Sequence, residues 1–123
     1  MTRDLLNSLL DHAEQTRRVW DKKSKHDPWI EVEEVVPCSE STAVVTFLKE
    51  SGMRVVVFAY HIRSETGKWM HIFPTYEHLY GLKNDRLFET MDRVEEKNTR
   101  IRLKQRANPL NDAPQMKVMS NGT

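Results

Sequence analysis

A chain of 123 residues, 38% hydrophobic and 30% charged, has the size of one domain with a single core and is too short for two. A formal charge of only +1 and a mean hydropathy of −0.67 speak for a polar surface and against a membrane-facing one. Arg3, Asp4, Asp11, Glu14, Arg17 and Arg18 interrupt the first twenty residues, which excludes an uninterrupted apolar leader or span there. Cys38 is the sole cysteine, so no internal disulfide or cysteine-rich zinc site is available, and a cytoplasmic location is expected.

Thr2 is placed to cap a helix over Arg3 to Lys23, along which Leu5, Leu9, Ala13, Thr16 and Trp20 recur at three- and four-residue intervals. Leu6, Leu10 and Val19 widen this stripe, while Asp4, Asp11, Gln15, Arg18 and Lys22 form the wet side. Asp27-Pro28 ends the connection, since the residue before proline is driven out of helical geometry.

Four β runs follow. Trp29 to Val36 sets Ile30 and Val32 against Glu31 and Glu33, and the Glu33-Glu34 pair breaks the alternation, predicting a bulge on an edge strand. Thr42 to Lys49 alternates Ala43, Val45 and Phe47 with Val44, Thr46 and Leu48, and Glu50-Ser51-Gly52 makes a tight turn. Met53 to Arg63 carries Val55, Val56, Val57 and Phe58 without interruption, as in a strand covered on both faces. Ser64 to Gly67 turns the chain into the last strand, Trp69 to Phe73.

Pro74 closes the sheet, Thr75 caps a short helix through Leu79 and Tyr80, and Gly81 suits a left-handed exit. Asn84 or Asp85 caps a longer helix in which Leu87, Met91, Val94, Asn98, Ile101 and Gln105 alternate spacings of four and three, the period of a coiled-coil seam. From Ala107 onward no period survives, and residues 107–123 are expected to be a disordered tail. The fold class expected is α+β: an N-terminal helix, a four-stranded antiparallel β-meander and a C-terminal helix pair in one domain over residues 1–106. Its core should include Leu5, Leu9, Trp20, Val45, Phe47, Val55, Val57, Ile72, Leu79 and Leu87.

Chemistry-bearing groups are sparse. His61, His71 and His78 would make a metal site only if the hairpin and strand end converge, with Glu77 or Cys38 as a fourth ligand, and their loose spacing speaks against it. A Cys38-His dyad or a carboxylate pair from Glu31, Glu33 and Glu34 lacks a third orienting group. No catalytic residue, metal or cofactor is therefore assigned.

Charge is polarised along the chain. Lys97, Arg100, Arg102, Lys104 and Arg106 follow one another with no intervening acid, and Arg17, Arg18 and Lys22 end the first helix, a pattern suited to neutralising phosphates without reading bases. Trp69, Phe73 or Tyr60, if exposed on the sheet, would stack on unpaired bases. An asparagine within an apolar seam fixes register between two chains, so Met91, Val94, Asn98 and Ile101 are expected at a homodimer interface. The expectation is a small non-enzymatic regulatory or adaptor protein with no membrane attachment, acting as a homodimer on nucleic acid. A protein-protein inhibitor or adaptor using a sheet edge or exposed helix is the alternative, and a small metal- or cysteine-dependent enzyme the next.

Overall fold

The structure, a computed structural model, describes residues 1–62 and 67–107, the last of these in its backbone only. Its elements are α1 (Arg3–Lys23), β1 (Trp29–Pro37), β2 (Thr42–Lys49), β3 (Arg54–His61), β4 (Trp69–Ile72), α2 (Tyr76–Leu82) and α3 (Asp85–Ala107). The strands form one antiparallel sheet in chain order, which is the α+β meander expected from the hydrophobic periods. The predicted extension of β3 to Arg63, the Ser64 turn and the tail beyond residue 107 lie outside the described residues. No described helix is long and apolar enough to cross a membrane.

Capping follows the side-chain chemistry. Thr2 Oγ1 accepts from the Leu5 amide at 3.2 Å and starts α1. Thr75 and His78 form a reciprocal box at α2, the Thr75 amide donating to His78 Nδ1 and the His78 amide to Thr75 Oγ1. Asn84, rather than Asp85, caps α3 through Oδ1 to the Leu87 amide at 3.0 Å. The left-handed exit of α2 falls on Lys83 (φ 50°) and not on Gly81, because the helix runs on to Leu82 before the chain turns.

Register shifts lie between Trp29 and Glu31 and between Val32 and Glu34, so edge strand β1 carries the predicted bulge and a second irregularity before it. That first irregularity reverses the expected inward residue. Trp29 is buried at 4% exposure and Ile30 points to water at 50%. The sheet is covered on both faces. On one, Leu9 and Ala13 of α1 pack over Trp29, Val45, Phe47, Val57 and Trp69; on the other, Leu79 of α2 and Leu87 of α3 pack over Val44 and Phe58. Leu5, Trp20, Val55 and Ile72 join these cores half-buried, whereas Leu10 and Val19, expected on the apolar stripe of α1, stay exposed.

Strand β4 pairs only with Phe58 to His61, leaving the first half of β3 without a strand neighbour on that side. Asn98 of α3 takes part of that place. Its Nδ2 donates to the Arg54 carbonyl at 2.9 Å and its Oδ1 accepts from the Arg54 amide at 2.8 Å, so one side chain satisfies both backbone groups. Further along, the β2–β3 turn passes Ile101 closely: a Cβ on Gly52, whose φ of +91° favours glycine, would sit 3.4 Å from Ile101 Cδ1.

Candidate functional site

These contacts also fix where the basic helix ends lie. Arg17 Nη1 donates to the Trp29 carbonyl at 3.0 Å and Trp20 stacks on Trp29 at 5.3 Å, which seats the end of α1 at the start of β1. Trp29 pairs with Lys49, the residue that enters the β2–β3 turn, and Asn98 and Ile101 seat the end of α3 at the exit of the same turn. Both C-terminal helix ends therefore emerge at one pole of the sheet, from opposite faces, with the turn between them.

The eight predicted phosphate-binding residues divide there into two groups. Arg17 is held by Glu14 and lies within 3.9 Å of Asp21, with its side chain largely shielded. Arg100 pairs with Glu96 at 3.1 Å and Arg102 with Glu95 at 2.7 Å. Lys97 faces the field of Glu33, which already accepts two hydrogen bonds from Arg54. Arg18, Lys22, Lys104 and Arg106 are exposed and make no ion pair among the described residues. Two of these four come from each helix, so exposed cations without an ion-pair partner among the described residues stand on both sides of the turn, which itself carries the exposed Glu50.

The aromatic platform does not form, because neither sheet face is open. Trp69 is buried under α1 and Tyr60 packs half-buried on the α2–α3 side, so that only Phe73 of the three is exposed, at 44%, with one edge against Trp20 and Trp29. The seam of α3 is likewise occupied within its own chain. Val94 is 4% exposed and Asn98 8%, Met91 and Ile101 are half-buried, and the exposed apolar residues of the helix are Phe88 and Leu103. Val94 and Asn98 are thus unavailable to a second chain, and the buried asparagine is explained by its bonds to Arg54 instead.

The histidines do not converge. His61 lies opposite Trp69 and donates from Nε2 to the Gly67 carbonyl, His78 caps α2, and His71 meets His12 of α1. No group of three or more metal-ligating side chains exists among the described residues. Burial pushes the Cys38 thiol up, and its Sγ donates to the Val36 carbonyl at 3.6 Å. Hydrogen bonds from Arg54 hold the Glu33 carboxyl below the ordinary range, and Glu34 pairs with Arg93 at 2.8 Å; these acids brace β1 against β3 and α3.

Sequence reasoning missed His12 and the roles of Arg54 and Arg93. Each meets a partner more than twenty residues away, and no local period announces such a contact. Comparison with protein-family models, with curated proteins and with solved structures finds no match.

Proposed function

We infer that the protein is a non-enzymatic binding module whose cationic pole receives the phosphate backbone of a nucleic acid. The observation that carries this reading is the convergence of Arg18 and Lys22 with Lys104 and Arg106 at one end of the sheet, all four without carboxylate partners among the described residues. Exposed lysines and arginines of this kind gain by displacing counterions from phosphates, and such phosphate contacts carry no sequence information. The near-neutral whole keeps the attraction local to this pole.

Mobility shift of a mixed-sequence duplex over rising salt tests it. Four phosphate contacts give a slope of log affinity against log salt of about −3.6. Replacing Arg18, Lys22, Lys104 and Arg106 together by glutamine should remove the shift while leaving the thermal midpoint nearly unchanged. No shift at low salt with the wild-type chain discards the nucleic-acid reading. A protein-adaptor reading draws on one separate feature, the exposed Tyr80 (75%), Leu82 (47%) and Phe88 (44%) around the α2–α3 junction. Partner capture insensitive to nuclease and lost on Tyr80→Ser would favour it.

A further inference from the structure

Helix α1 is tied to β1 by the Arg17 bond and the Trp20–Trp29 stack, and it meets edge strand β4 through side chains, Leu9 and Ala13 sharing a buried core with Trp69. Trp20 meets Phe73 edge-on with ring centres 5.6 Å apart. Just over two helical turns earlier, His12 Nε2 faces His71 Nδ1 at 3.3 Å, the rings 5.4 Å apart and tilted by 55°. A cleft of about 200 Å³ runs between helix and strand, bounded by His12, Gln15, Val19, Trp20 and His71. It adjoins a recess of about 440 Å³ that reaches Asp11 and Lys68.

We propose that His12 and His71 form an acid-sensitive latch between α1 and β4, which releases and widens this cleft when the pair takes up its second proton. The facing nitrogens impose the rule. At 3.3 Å one of them has to present a lone pair to the other's N–H. The neutral pair satisfies this, and so does the pair holding one extra proton, which is then shared along the N–H···N line. With two extra protons both nitrogens bear hydrogen, no acceptor remains, and two cations stand in contact; the rings have to part.

The surroundings do not relieve that repulsion. Asp11 on α1 and Lys68 ahead of β4 line the same recess with opposite signs, and His61 on β3 directs its Nε2 to the Gly67 carbonyl beneath the edge of Trp69. Burial holds both His12 and His71 below the ordinary imidazole value of 6.5, His71 adding to the effect on His12. An imidazole whose folded value is depressed stabilises fully above its unfolded value and loses that contribution as pH falls below it. The latch is therefore closed at neutral pH and opens on the acid side of 6.5. Because α1 stays anchored along β1, the expected motion is a hinged opening on the β4 side rather than loss of the sheet.

Imidazole NMR titration of the full chain, run beside amide exchange from neutral pH to the acid side, tests this. Two separated proton uptakes are expected for His12 and His71, and over the second the ring-to-ring NOEs between His12 and His71 and between Trp20 and Phe73 should be lost while β2 amides keep their protection. In His12→Gln and in His71→Gln, whose amides stay neutral at every pH, the Trp20–Phe73 contact should persist into acid. Parallel loss of the ring contacts and of β2 protection, a single joint uptake with the ring contacts kept, or an acid response unchanged in whichever glutamine variant folds, would each overturn the latch.

Discussion

The two faces of the sheet are held by different physics. The α1 face is a continuous apolar core in which Leu9 and Ala13 meet Trp29, Phe47 and Trp69, with Trp20, Trp29 and Phe47 in successive ring contact. The α3 face has a small apolar cluster around Val44, Phe58, Leu79 and Leu87, and beyond it relies on directed polar ties from Asn98, Arg54 and Arg93. Apolar burial is strong and undirected, whereas amide and guanidinium bonds are weaker and fix an angle and a register. The first arrangement secures a helix; the second tells a long helix where to lie.

Variants sharpen that contrast in order of expected effect. Phe47→Ala opens a cavity under α1 and should cost about 3–5 kcal/mol in chemical denaturation, the upper end applying where the Trp29 ring does not fill the gap. Asn98→Ala leaves the amide and carbonyl of Arg54 without their partner at an incompletely paired strand edge and should cost about 1–3 kcal/mol. Asn98→Leu should fare no better despite its greater apolarity, and a stability equal to wild type would show that packing, not the paired bonds, seats α3.

Glu33→Gln weakens a partly shielded, two-bonded ion pair and should cost about 1 kcal/mol at neutral pH. Since Arg54 depresses the Glu33 carboxyl, its contribution is present above the ordinary value of 4.5 and disappears as pH falls through the lower folded value. The variant's stability should accordingly converge on wild type in acid. A gap that persists there would assign the loss to packing instead of charge.

The bulged edge, the doubly covered β3 and both terminal helices were legible because each is written in a local period or a cap. The fate of the basic residues was not. Arg102 and Lys104 carry the same charge two positions apart in one helix, yet one is paired with Glu95 and the other makes no ion pair among the described residues. The same holds for Asn98, whose place in an apolar seam suggests a second chain until the unpaired length of β3 supplies another partner.

By itself the chain determined what repeats over a few residues: helix stripes, strand alternation, caps and turns, hence an α+β meander with a helix before it and two after. Tertiary structure alone decided which distant groups meet: that Asn98 completes a strand edge, that His12 faces His71, and that two basic helix ends share a pole. The physical reason is range. Backbone preference and hydrophobic period act within a turn or a strand, while the Asn98 and His12 contacts join residues 44 and 59 positions apart, the basic helix ends lie farther apart still, and all exist only once the layers have stacked.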